Sequence, residues 1–263
     1  MLRIPRPPVA APLELPLDVR LTNGVANAVF WLAAVAIAAA ALLWLTRAPV
    51  FRIRAIELGG ELTRNSVSTI RANAMPRLEG NFFSLNLKKA RAAFESVPWV
   101  RRAVVRRVWP NRIAVVLQEQ RAAALWDGSD RSDRLVNSYG EVFEANVGDV
   151  EDDKLPSFDG PEGSAAAMLA MYRQLQPLFD AADHPIATLR LSTRGSWSVE
   201  LDDEAKVEIG RGSDAEVLAR CARFLRTLPR VVTRYNAPLE SADLRYPDAY
   251  AVRLRGVTTK TSN

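Results

Sequence analysis

The sequence predicts an α+β protein: a single N-terminal transmembrane helix, a small β-α-α-β-β domain, and a larger mixed α+β domain with an antiparallel sheet. Three observations lead there. Residues 25–45 (VANAVFWLAAVAIAAAALLWL) carry no charge, and at about 1.5 Å of rise per residue such a run matches a hydrocarbon core of roughly 30 Å. Residues 51–120 switch between strand and helix periods in the order β-α-α-β-β. From 121 to 256, short alternating runs flank two amphipathic stripes at helical spacing. Apolar residues make up 48% of the chain, enough for a sizeable core, and the net charge is +5. The arginines are scattered, so the basic balance reads as a solvated surface. One cysteine, Cys221, leaves no intramolecular disulfide.

Residues 1–24 form a Pro-rich tail (Pro5, Pro7, Pro8, Pro12, Pro16) too short and extended to fold. The transmembrane helix is expected over 25–46. A cleaved signal peptide has a shorter apolar stretch behind a short basic start. Here the run is long and follows a tail carrying Glu14 and Asp18, which favours an uncleaved anchor. Charge leaves its orientation tied: Arg3, Arg6 and Arg20 precede it, and Arg47, Arg52 and Arg54 follow.

Residues 51–58 (FRIRAIEL) alternate and read as a strand ended by Gly59-Gly60. Residues 63–74 place Val67, Ile70 and Ala74 at helical spacing, and 87–97 do the same with Leu87, Ala90, Phe94 and Val97 until Pro98. Two β-rich runs, 100–109 and 112–120, meet at Pro110-Asn111, good turn chemistry. Short strands follow at 122–126, 134–137 and 141–144, then an acidic loop (Asp149, Glu151, Asp152, Asp153) and a helix over 164–178 that Pro177 should kink or finish. Strands are expected at 187–192, 196–201 and 205–209. Ser213 and Glu216 make a capping box ahead of the stripe Val217, Leu218, Cys221, Phe224, Leu225 and Leu228. Residues 239–246 and 249–255 close the domain as a hairpin around Pro247-Asp248; the tail 257–263 has no core-forming residues.

Catalysis needs convergent groups, and the residues offer few. His184 is the sole histidine, which excludes a histidine metal cluster. Cys221 lies in an apolar stripe, as a structural thiol would. No phosphate-binding glycine motif is present; Gly210-Arg211-Gly212 reads as a plain β-to-α turn in preference to an anion site at the next helix's N-terminus. Asp202-Asp203 and Asp152-Asp153 fall in loops. Alternation splits Arg102 and Arg106 from Arg101 and Arg107, so they form no single groove. The last strand is the best candidate for work. Tyr250, Val252 and Leu254 share one face, and the strand either presents an open edge for a partner's strand or is internal or covered by the tail.

The string Pro98-Trp99, Val105-Arg106, Trp109-Pro110, Val115, Glu119, Ala124, Trp126 and Gly140 with Val142-Phe143 resembles the FtsQ/DivIB family of bacterial cell-division proteins. Leu155-Pro156, Gly160-Pro161-Glu162-Gly163, Ser196-Trp197, Gly210-Arg211-Gly212 and Asp243-Leu244-Arg245-Tyr246 continue the series in the family's order. The resemblance implies a bitopic plan: cytoplasmic tail 1–24, span 25–46, POTRA domain 51–120 and β domain 121–256. It implies a single-pass type II protein of the inner membrane, mostly periplasmic and concentrated at the division septum. It also implies no catalysis and no cofactor or metal, but a scaffold that links early and late division proteins. FtsB and FtsL are the implied partners, together with FtsK, FtsW and the septal transpeptidase. FtsB would add a strand at the C-terminal edge, where Asp243, Leu244, Arg245, Tyr246, Tyr250, Val252 and Leu254 are the implied contacts. Leu254 stands where the family commonly has an aromatic residue. Val105 and Arg107 fall on a strand implied to recruit other division proteins. Two other classes compete: a POTRA-type protein of polypeptide secretion or assembly, which would need a barrel the chain is not expected to hold, and a membrane-anchored periplasmic enzyme.

Overall fold

A computed structural model describes residues 17–46, 48–61, 63–64, 66–78, 80–127, 133–246 and 249–257. Most of the expected cytoplasmic tail, Arg47, the Pro247-Asp248 turn and residues 258–263 lie outside them. Helix α1 (Leu17–Thr46) starts ahead of residue 25, since its first turns also hold Asp18 and Arg20. An acidic residue in the first turn complements the helix dipole. Its side chains contact no core: Phe30, Leu32 and Trp44 are all exposed. By length and composition α1 can cross a membrane.

The small domain holds β1 (Ala55–Glu61), α2 (Val67–Ala74), α3 (Leu87–Glu95), β2 (Val100–Val108) and β3 (Arg112–Glu119), with strand order β1-β3-β2. Ser66 and Asn86 cap the two helices with side-chain oxygens. Both helices cover one sheet face, burying Ile70, Phe94, Ile113, Val115 and Leu117 together. The first strand departs from the sequence reading at both ends. Pro49–Phe51 coils into a 3-10 turn, and the strand runs through Gly59-Gly60 instead of ending there. Gly60 has φ +118°, and a Cβ on it would lie 2.1 Å from the Leu117 carbonyl oxygen. Gly60 therefore lets β1 close onto β3.

The larger domain is one nine-stranded sheet, in the order β12-β11-β10-β9-β8-β7-β4-β5-β6. Its elements are β4 (Ala122–Trp126), β5 (Arg134–Asn137), β6 (Val142–Glu144), β7 (Ser157–Asp159), α4 (Ala165–Asp180), β8 (Ile186–Leu191), β9 (Trp197–Leu201), β10 (Lys206–Gly210), α5 (Asp214–Tyr235), β11 (Leu239–Asp243) and β12 (Ala251–Leu254). The sheet is mixed, not purely antiparallel: β4–β7, β7–β8 and β10–β11 are parallel. Two of these pairs follow from connectivity, because α4 carries the chain from β7 to β8 and α5 carries it from β10 to β11, and parallel neighbours need such crossovers. Strand β7 escapes the sequence reading because three residues show no period. Yet its Phe158 is fully buried, between β8 and β4 in the interior of the sheet. The acidic loop is a 3-10 helix, Val147–Asp153. Pro177 does not finish α4, which continues to Asp180. The capping box forms as expected: Glu216 N–H meets Ser213 Oγ at 3.4 Å, and Glu216 accepts from Ser213 N–H at 2.8 Å. Met168, Phe179, Phe224 and Leu228 bury both helices against the sheet.

Candidate functional site

The two elements that end the sheet are β11 and β12. The last parallel rung is extended by Leu244 N–H, which donates to Glu208 O at 2.7 Å. Leu244 itself is buried. The chain then turns on a local clamp. Asp243 accepts from Arg245 through its backbone N–H at 3.0 Å, its Nε at 2.9 Å and its Nη2 at 2.6 Å. The Arg245 guanidinium holds the Asp243 carboxyl below the usual carboxylate range. Gly210 makes room for this clamp: at φ +92°, its missing Cβ would sit 2.9 Å from Arg245 Cγ. The Gly210-Arg211-Gly212 turn is thus already engaged, with Arg220 bound to Arg211 O. Beyond the clamp, Tyr246 is 56% exposed.

Among the described residues, strand β12 pairs with β11 alone, in the register Asp243↔Ala251, Ala242↔Val252 and Ser241↔Arg253, with a bulge toward Leu239↔Leu254. Its inward face carries Tyr250, Val252 and Leu254, all packed on the large core. Tyr250 meets Phe224 edge-on at 5.4 Å and shares a hydrogen bond with Thr227. The exposed face carries Ala251 and Arg253. Arg255 N–H donates to Pro238 O at 2.9 Å. Strand alternation then turns the backbone groups of Arg253 and Ala251 toward β11, and those of Val252 and Leu254 toward the outer edge. Among the described residues, no strand pairs with that edge.

All seven C-terminal candidates therefore gather on one hairpin, but they divide by role. Leu244 and Leu254 are core residues, Tyr250 and Val252 are half-buried, and Tyr246 is presented to solvent. Ala251 and Arg253, on the opposite face, are the strand's accessible side chains. Val105 and Arg107 lie apart, on β2. Val105 is half-buried against the small core. Arg107 donates to Phe82 O at 2.6 Å and Leu85 O at 2.7 Å, fastening the loop before α3.

The other candidates have structural surroundings. Cys221 is fully buried, and burial pushes its thiol up to about 12. His184 Nδ1 lies 3.9 Å from Asp203. Among the described residues, no group of three or more His, Cys, Asp or Glu is placed to hold a metal ion.

The sequence reading did not anticipate the joint between the two domains. Trp99, at φ +68°, donates its indole N–H to Asp149 at 2.9 Å. Arg64 lies over the Trp99 ring at 4.7 Å and pairs with Asp153. Arg101 grips Glu141 at 2.8 and 2.9 Å and stacks on Tyr139 at 3.8 Å.

A three-stranded sheet under two helices, a mixed nine-stranded sheet with a free end among the described residues, and a leading helix able by length and composition to cross a bilayer define a two-domain protein of the POTRA class. Residues 51–120 match the model of the FtsQ-type POTRA domain, and residues 124–245 match that of the Cell division protein FtsQ/DivIB C-terminal region. The latter match stops before β12. Cell division protein FtsQ of Thiomonas arsenitoxydans is 42% identical over 258 residues, covering 96% of this chain and 95% of that protein. Its namesake from Burkholderia pseudomallei is 41% identical over 91% of this chain and 94% of its own. That of Bordetella pertussis is 38% identical over 90% and 92%. The chain belongs to the FtsQ/DivIB family of cell division proteins.

Proposed function

We propose that the chain is a non-catalytic scaffold of the division machinery, linking early and late division proteins by adding a strand of FtsB, with FtsL alongside, to the outer edge of β12. In this reading α1 crosses the inner membrane once, its N-terminal side is cytoplasmic, and both domains stand in the periplasm at the septum. The observation that carries it is the terminal place of β12, whose outward backbone groups have no strand to pair with among the described residues. Added strands gain affinity from main-chain hydrogen bonds and specificity from side chains beside the edge. Tyr246 offers the exposed aromatic surface, and Ala251 and Arg253 the accessible face. The Asp243–Arg245 clamp would keep the corner in shape before the partner arrives. Leu244, Tyr250, Val252 and Leu254 would act from below, by holding the edge flat against the core. Val105 and Arg107 would serve a second surface, toward FtsK, FtsW or the septal transpeptidase, with Arg107 shaping the neighbouring loop.

The test uses two variants of the full chain and an FtsB segment, with binding followed by calorimetry. Tyr246→Ala removes an exposed contact. Val252→Pro removes an N–H that faces outward and leaves the β11 ladder its bonds, the one kind of place where a strand tolerates proline. Each should weaken binding by about tenfold or more while circular dichroism stays unchanged. Unaltered affinity in both variants would sink the edge-strand reading. In cells, a fluorescent fusion should band at midcell, and depletion should give filaments.

A further inference from the structure

The end of the small domain nearest α1 carries apolar side chains that its own core does not use. Past α1, Ala48 N–H donates to Leu45 O, and Phe51 N–H to Ala48 O, both at 3.0 Å. Two loops are tied to this exit. Asn81 Nδ2 donates to Thr46 O at 2.8 Å, and Phe82 N–H to Phe51 O at 2.9 Å. Asn111, in the β2–β3 turn, donates from Nδ2 to Val50 O at 3.3 Å and accepts from Arg54 N–H at 3.0 Å. The loop bearing Phe83 and the turn bearing Trp109 are therefore fixed to the last residue of α1 and its exit turn. Trp109 is 73% exposed, Val50 50% and Phe83 48%. Phe83 stacks edge-on against Phe51 at 4.9 Å, so the aromatic surface is continuous with the exit turn. Arg52 and Arg54 flank it, both exposed.

We propose that this collar seats the small domain on the bilayer surface, with Trp109, Phe83 and Val50 in the boundary between headgroups and acyl chains and Arg52 and Arg54 against lipid phosphates. The inference rests on the reading of α1 as a membrane span. If the apolar run ends at Leu45, the following turn lies at headgroup depth, and the two loops bonded to it lie there too. Tryptophan concentrates at that depth because its ring is apolar and its N–H is polar. Arginine there meets the phosphates with its guanidinium and keeps its stem among apolar neighbours. The collar gives the domain a second attachment besides the chain itself, and so a set tilt on the membrane.

The full chain is reconstituted into vesicles of phosphatidylethanolamine, phosphatidylglycerol and a phosphatidylcholine brominated near the top of its acyl chains. Trp31 and Trp44 are first changed to Phe, because they lie in α1. Trp99, Trp126 and Trp197 are at most 8% exposed, out of reach of the bromines. The remaining emission should be quenched, and the quenched share should vanish on adding Trp109→Phe. If this background is not quenched while the unaltered chain is, through Trp31 and Trp44, the collar is wrong and the anchor stands. If neither is quenched, the anchor reading fails and the collar with it.

Discussion

Glu141 accepts from Arg101 through two hydrogen bonds and from Asn137 at 2.7 Å. Those bonds, Arg101's foremost, hold its carboxyl at about 2, against an ordinary 4.5. A carboxylate depressed in the folded chain stabilises it above the ordinary value, and the benefit fades as the pH falls, because the unfolded chain takes up the proton first. Urea unfolding followed from about pH 5 to about pH 2 should therefore show a steeper loss in the native chain than in Glu141→Gln. The difference is modest because the Glu141 side chain is 53% exposed. Equal slopes would mean that the pair adds nothing to folding. Cys221 is legible from the sequence, since its place in an apolar helical stripe implies the full burial that the fold shows. The Arg101–Glu141 pair could not be read, because forty residues separate its members and no local period connects them.

At the scale of elements, strong periods were legible and exceptions were not. Helix α5 showed itself through its capping box and stripe, and both are present. Strand β1 misled at Gly59-Gly60, since glycine pairs usually mark a break. Here Gly60 serves a parallel neighbour that sequence order does not reveal. The substitution Gly60→Ala would combine a left-handed φ with a Cβ 2.1 Å from Leu117 O. It should cost about 2 kcal/mol or more, read as a lower urea midpoint for the full chain. A midpoint equal to that of the native chain would show that β1 can move off β3 freely. The final hairpin was legible as two strands, but which of its side chains lie in the core depended on α5, and Phe224 and Thr227 of that helix claim Tyr250.

In the whole molecule, two domains meet through a polar joint with a small apolar center: Trp99, Leu135, Ala145 and Val150. Arg64 and Arg101 approach it from the small domain, and Asp149, Asp153 and Glu141 from the large one. Changing Arg64 and Arg101 together to Ala should uncouple the two units, so that calorimetry resolves two unfolding transitions more widely separated than those of the native chain. A transition of unchanged shape would place the coupling in the Trp99 cluster instead. The large sheet begins at this joint, where β6 adjoins Glu141, and ends at β12. Eight inter-strand steps at about 4.8 Å set these limits roughly 38 Å apart. Twist of about 20° at each step turns the last strand through nearly half a revolution relative to the first. The sheet thus works as a spiral ruler: whatever is spliced onto its far rim inherits both a stand-off and a compass heading measured from the joint.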